Sequence, residues 1–215
     1  MSRLAEIDLA PGVHIALVAE DVVALDVQSD AYILIPGGSA VMELVRNGAG
    51  VRAGAAVLAD LIGAGLALPS SGLVRRRLVP AARQTTLPLA FTPLACLPPL
   101  VHALKATAAF RRRSLAGLVA SAARVKIRPG APDLAAAVRE AGAYETIRPW
   151  VPYEGDCLQR SWMLHDRLCR RGIQADWVFG VRTWPFFAHC WVQVGDAVVG
   201  DTLNRIGGFT PIMAV

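Results

Sequence analysis

Between residues 156 and 203 the chain switches once from helical to alternating hydrophobic spacing, and this switch restricts the fold more than any other feature of the sequence. Asp156–Arg171 reads as a helix, with Leu158, Leu164 and Leu168 as apolar anchors and Gly172 as its stop. Three strand-like runs follow, Ala175–Trp184, Phe187–Val194 and Ala197–Leu203. The Gly195-Asp196 pair between the last two suits a tight hairpin. The expected unit is a helix seated on an antiparallel sheet.

That order places three reactive residue types near one another. Cys157 falls at the helix N-terminus, where unpaired backbone N–H groups and the positive end of the helix dipole favour a thiolate. The same N–H groups could hold an oxyanion. His189 lies mid-strand, and Asp201 lies across the Gly195-Asp196 hairpin from it. Side chains on one face of neighbouring strands stand about 5 Å apart. Asp201 can then fix the tautomer of His189, and His189 can take the proton of Cys157. Taken singly, each of the three has an ordinary structural explanation; their mutual order argues for chemistry.

The remaining cysteines and histidines are read as structural. Cys96, Cys169 and Cys190 fit small buried hydrophobes. Cys190 adjoins His189 in a strand, so alternation sends it to the opposite, non-catalytic face. His14, His102 and His165 are assigned structural roles, His165 on the helix surface. No two cysteines have C-x-x-C spacing, which argues against zinc and thioredoxin-like chemistry, and no metal or cofactor is expected. With no disulfide framework, a reducing cytoplasm is the natural setting.

The N-terminal part has another pattern. Val13–Val18, Val22–Val27 and Ala31–Ile35 alternate as a three-stranded meander, and Pro36-Gly37-Gly38 ends it. Ser39 is placed to cap a helix through Val41, Met42, Leu44 and Val45, stopped by Asn47-Gly48. A second helix spans Ala53–Ile62, with Val57, Leu58, Leu61 and Ile62 at helical spacing. Residues 1–70 therefore read as a small β3-then-helices domain. Residues 71–84, with the Arg75-Arg76-Arg77 run, read as a linker, and 85–215 as the second domain. Within that domain Val101–Phe110, Ser114–Val125 and 133–142 are the helices expected before residue 150.

Gln84–Leu104 carries no charged residue, which matches a membrane span in length, but Pro88, Pro93, Pro98 and Pro99 argue for a broken buried segment. The first nine residues carry Arg3, Glu6 and Asp8 and do not read as a signal peptide. Hydrophobic residues make up 54% and charged residues 18%, which excludes a disordered chain. The formal charge of +5 is gathered in Arg clusters without interleaved aromatics, so solvated faces are expected in place of a nucleic-acid surface.

The stretches Cys157-Leu158-Gln159-Arg160-Ser161, Ala188-His189-Cys190-Trp191-Val192-Gln193 and Val199-Gly200-Asp201 resemble the leader peptidases of lasso peptide biosynthesis. These belong to the transglutaminase-like, papain-related cysteine peptidases. The resemblance is specific over about 150–205 and looser over 85–150. It implies Cys157 as nucleophile, His189 as base and Asp201 as the group orienting it. Residues 1–70 resemble the leader-recognition domain found with such peptidases, a winged-helix-like module. In such modules the leader adds as a strand to the sheet edge, against the last helix. Here that implies an edge at Tyr32, Ile33 and Leu34 facing Val57, Leu58 and Leu61. The implied partners are a precursor peptide and an ATP-dependent lasso cyclase, with no nucleic acid and no membrane insertion.

The fold class expected is α+β: a winged-helix-like N-terminal domain of three strands plus helices, then a papain/transglutaminase-like domain. The alternatives are a transglutaminase or amidase using the same three residues, a non-catalytic peptide-binding scaffold, and a winged-helix DNA-binding protein.

Overall fold

The computed structural model describes residues 4–69, 79–85, 96–124, 133–151 and 157–215. The described residues form a mixed α and β protein with three sheets and divide into two compact units. One unit takes Met1–Leu78 with Gly180–Ala188 and Phe209–Met213; the other takes Val79–Phe179, His189–Gly208 and Ala214–Val215.

In the first unit, β1 (Ala5–Leu9) is followed by the expected meander β2 (Val13–Val18), β3 (Asp21–Asp26) and β4 (Ala31–Ile35). The meander pairs in the order β2-β3-β4, so β4 is an edge strand. Its centre is aliphatic on both faces: Val22, Val23, Ala24 and Leu25 are fully buried. The chain then makes one 3-10 turn at Gly38–Ala40 and enters β5 (Met42–Val45), where a helix is expected from the sequence. The Asn47-Gly48 pair expected to stop that helix instead turns a hairpin into β6 (Gly50–Ala53). Arg46, Asn47 and Gly48 all have positive φ there, a conformation that Asn and Gly tolerate best.

Cross-strand charge pairing explains why β5 wins over a helix. Arg52 on β6 faces Glu43 on β5 and Glu6 on β1, bonding both at 3.0 Å through Nη1 and Nε. Met42 is buried between these exposed charges, as strand alternation requires. Helix α1 (Ala55–Gly63) and β7 (Ala67–Leu68) complete a sheet of order β5-β6-β1-β7, with Leu58 and Leu61 in the core beside Ile7, Val51 and Ala53. This unit carries two sheets and one helix among its described residues, in place of three strands and several helices.

The second unit includes β8 (Gln84–Thr85), which pairs parallel to a later strand at the boundary expected between linker and second domain. Helix α2 (Leu97–Phe110) begins earlier than expected because Pro98 and Pro99 fit the first helical turn, where no N–H is needed. Helices α3 (Leu115–Ala123) and α4 (Leu134–Ile147) start at Ser114 and Asp133, whose side chains accept the N–H groups of Gly117 and Ala136. Gly142, expected to end α4, lies buried within it.

Helix α5 (Cys157–Arg170) buries Trp162, Met163, Leu164 and Leu168, and α2, α3 and α4 pack against it. Strands β9 (Asp176–Arg182), β10 (Phe187–Val194) and β11 (Ala197–Val199) follow, then a helical turn α6 (Leu203–Ile206) and β12 (Thr210–Ala214). The sheet order is β12-β9-β10-β11-β8. Strands β10 and β11 are antiparallel as expected, while β8 makes the sheet mixed. No helix among the described residues is long and apolar enough to cross a membrane. The proline-rich stretch before residue 96 lies outside the described residues, as do two of the three Arg clusters for most of their length.

Candidate active site

Cys157 is the first residue of α5, as the sequence pattern requires. Asp156, read as the start of this helix, lies outside the described residues. The first turn is tied to the sheet from below. Ser161 Oγ donates to the Cys157 carbonyl at 2.7 Å and accepts from Trp177 Nε1 of β9 at 2.8 Å. Trp177 is fully buried, so this chain of bonds sets the height of Cys157 over the sheet.

His189 and Asp201 meet as expected: His189 Nε2 donates to Asp201 Oδ2 at 2.7 Å. The route to that contact differs from the expected one. Strand β11 ends at Val199, and its register pairs Val192 with Val199 and Gln193 with Val198. Continued without a break, this ladder would set Asp201 opposite Cys190, on the wrong face for His189. Gly200 removes the conflict. Its φ of +73° takes the chain out of the ladder. A Cβ on Gly200 would also lie 2.8 Å from Leu164 Cδ2, so that methyl group of α5 would have to shift to admit a side chain. The Thr202 N–H donates to Asp201 Oδ1 at 2.8 Å and holds the carboxylate in its new place.

Cys190 departs from expectation. Its Sγ lies 3.8 Å from Cys157 Sγ, although alternation assigns it to the face away from His189. A cysteine side chain is too short to leave the neighbourhood of its own backbone. Cys157 sits level with the His189–Cys190 backbone and interacts with the imidazole, the Cys190 thiol and the Cys190 N–H together. Cys190 itself is buried.

The electrostatics follow from these contacts. The hydrogen bond from the Cys190 thiol is the largest influence on Cys157; with His189 and the Cys190 N–H it outweighs burial and lowers the Cys157 thiol to about 3. Burial opposes charge on His189, but Asp201 on one side and Cys157 on the other raise it to about 9. Since Nε2 serves Asp201, Nδ1 is the ring nitrogen left for Cys157. Burial disfavours the Asp201 carboxylate too, yet the bonds from His189 and the Thr202 N–H keep it below the ordinary range. The result is a thiolate–imidazolium pair backed by a carboxylate at neutral pH. Such a pair attacks carbonyl carbon and returns a proton to the leaving group.

The cleft around Cys157 is walled by α4 and α5 and rimmed by Arg148, Arg160 and Arg205, with Tyr144 and Glu145 between them. Glu145 accepts from Arg160 at 3.2 Å and Arg148 at 3.4 Å. Sequence reading missed Tyr144, Glu145 and Arg148 because α4 and the turn after it reach the cleft only through tertiary packing. The described residues hold no His, Cys, Asp and Glu cluster suited to a metal ion.

Two other histidines serve structure. His165 is buried, not on the helix surface as expected: it stacks on Trp177 and meets the Ala175 carbonyl at 3.3 Å. His102 ties three helices together, bonding Tyr144 of α4 through Nδ1 and Asp166 of α5 through Nε2 at 2.9 Å.

Of the residues expected to bind a leader, Tyr32, Ile33 and Leu34 do lie on the edge strand β4. Val57 is partly buried, and Leu58 and Leu61 belong to the core under α1. Tyr32 also packs its ring against Phe186 at 5.6 Å.

The site therefore sets a cysteine at the first residue of a helix beside a histidine–carboxylate pair. A family model described as the transglutaminase-like superfamily matches residues 100–214, and the chain belongs to that superfamily. It is also 46% identical over 52 residues to the Microcin J25-processing protein McjB of Escherichia coli. That stretch is 24% of this chain and 25% of the relative, so the chain spans a quarter of the length of the curated relative it matches. No solved structure matches the chain. The family read from the Cys157, His189 and Asp201 segments is borne out.

Proposed function

We propose that this protein is a cysteine endopeptidase that removes the leader from a ribosomally made lasso peptide precursor. The observation that carries the reading is the bonded His189–Asp201 pair beside a thiolate at the first residue of α5. Cys157 attacks the scissile carbonyl, with the backbone N–H of the first helical turn as one oxyanion donor. The imidazolium of His189 protonates the leaving amine as the thioester forms. Neutral His189 then draws a proton from water, which hydrolyses the thioester. Asp201 holds the ring in the required tautomer throughout.

The N-terminal domain, 1–70, is the leader-recognition part of this reading, with 71–84 as linker and 85–215 as the peptidase. The leader adds as a strand along Tyr32, Ile33 and Leu34 of the edge strand β4. Leu58 and Leu61 belong to a core cluster against which Val57 and Ile35 of β4 both pack. The tether raises the local concentration of the cleavage site, so weak contacts near Cys157 suffice. The freed core passes to an ATP-dependent cyclase in the cytoplasm, where the thiol stays reduced.

The test is cleavage of the precursor encoded beside the gene by wild type and Cys157→Ala, with and without the cyclase, read by mass spectrometry. A leader-sized fragment from wild type alone is the expected result. An intact precursor in every tube, bound equally by both proteins, overturns the catalytic claim and leaves a peptide-binding scaffold. Superfamily membership also favours a second reading, transamidation or deamidation of a glutamine side chain. In that case the product keeps an intact backbone and a changed mass.

A further inference from the structure

The Cys190 thiol takes no covalent part in the peptidase steps, yet it touches Cys157 and its hydrogen bond is the largest influence on that thiol. Two sulfurs 3.8 Å apart are in van der Waals contact, and disulfide closure to about 2.0 Å needs a shift of under about 2 Å, shared by two side chains. The two thiols differ in access. Cys157 is partly exposed in the cleft, whereas Cys190 is buried behind it. The remaining two cysteines do not compete: Cys96 is buried at the start of α2, and Cys169 is buried in α5 against His165 at 3.5 Å.

We propose that Cys157 and Cys190 form a peroxide-responsive modification site, in which Cys190 resolves the oxidised nucleophile into a reversible intramolecular disulfide. The Cys157 thiolate attacks one oxygen of a hydroperoxide; the S–O bond forms, the O–O bond breaks, and the departing oxygen leaves as water or alcohol after taking a proton. Cys190 then attacks the sulfenic sulfur. The S–S bond forms, the S–O bond breaks, and hydroxide leaves with the Cys190 proton as water. Two thiols lose two electrons in total, and one peroxide gains them. The disulfide silences the site by occupying the nucleophile, and it spares Cys157 from the irreversible sulfinic and sulfonic forms. A small dithiol restores it by exchange. The inference rests on the reactivity of Cys157 and not on which acyl group it attacks.

Wild type, Cys190→Ala and Cys190→Ser would each be treated with hydrogen peroxide, then with dithiothreitol, and the Cys157 thiol counted by iodoacetamide labelling and peptide mass. Wild type should yield a non-reduced peptide joining Cys157 to Cys190 and recover most of its Cys157 label after reduction. The variants should recover about tenfold less and show Cys157 as sulfinate or sulfonate. Absence of the joined peptide in wild type, with the same irreversible loss of label in all three proteins, overturns the proposal. If neither variant folds, the wild-type peptide map decides alone. Because labelling needs no precursor cleavage, failure here is distinct from failure of the peptidase reading.

Discussion

Strands β3 and β10 occupy the same kind of place, the inside of a sheet with both faces covered, and fill it with opposite chemistry. In β3 the buried residues Val22 to Leu25 are aliphatic, and polar groups stand only at the ends. Asp21 there accepts from the Gly37 N–H at 3.0 Å and from Trp184 Nε1 at 2.7 Å. In β10 the buried run from His189 to Val194 includes His189, Cys190 and Gln193. A buried polar group without a partner costs roughly 1–3 kcal/mol. Each one in β10 has its partner: His189 has Asp201, Cys190 has Cys157, and Gln193 donates to the Pro80 and Gly195 carbonyls at 2.6 and 2.8 Å. Strand β3 spends its burial on stability; β10 holds reactive groups in fixed positions.

The largest test of that contrast is Asp201→Asn. It keeps the shape but favours the wrong His189 tautomer, and on the proposed peptidase reading kcat/KM for leader removal should fall by roughly 10³–10⁴ while the fold survives. A variant retaining full activity would remove Asp201 from the mechanism. Next comes the pH profile of Cys157 alkylation by iodoacetamide. An ordinary thiol slows about tenfold per unit below its pKa near 8.5. Cys157 becomes protonated only near pH 3, and His189 loses its proton only near pH 9, so the rate should stay flat between those limits. A slope of one decade per unit between pH 5 and 7 would show that the pair is not charged.

In β3 the matching perturbation is Leu25→Ala, which touches no reactive group. It should cost about 2–5 kcal/mol in chemical denaturation and leave the plateau of the alkylation profile unchanged. If the plateau shifts as well, the two strands do not divide their work as described. The smallest effect expected is that of Gly200→Ala. The positive φ and the contact with Leu164 together should cost about 1–3 kcal/mol. The displaced Asp201 should lower kcat by about tenfold with little change in leader affinity. A change in affinity alone would count against the role given to Gly200.

The sequence was most readable where local chemistry and tertiary context agree. The meander at 13–35, helix α5 and the β10–β11 hairpin all combine one clear period with turn residues. Reading failed where a signal had two uses. Asn47-Gly48 stops a helix or turns a hairpin, and only the Glu6–Arg52–Glu43 ladder decides between them. Strand β8 gives no pattern in two residues, and its partner strand lies 113 residues further along the chain: Gln84 pairs with Ala197, and the Arg83 N–H donates to the Asp196 carbonyl at 2.8 Å.

By itself the sequence determined the order of the reactive residues: a cysteine opening a helix, a histidine inside a strand and an aspartate beyond a hairpin. Those follow from period and turn chemistry, which act over a few residues. Tertiary structure decided which groups meet. Gly200 swings Asp201 off the face that strand register assigns it, through a positive φ that glycine adopts readily. Helix α5 places Cys157 where it meets His189, the Cys190 thiol and the Cys190 N–H together, against the rule of alternation. Alternation describes a strand alone; what a side chain touches depends on the element packed over it.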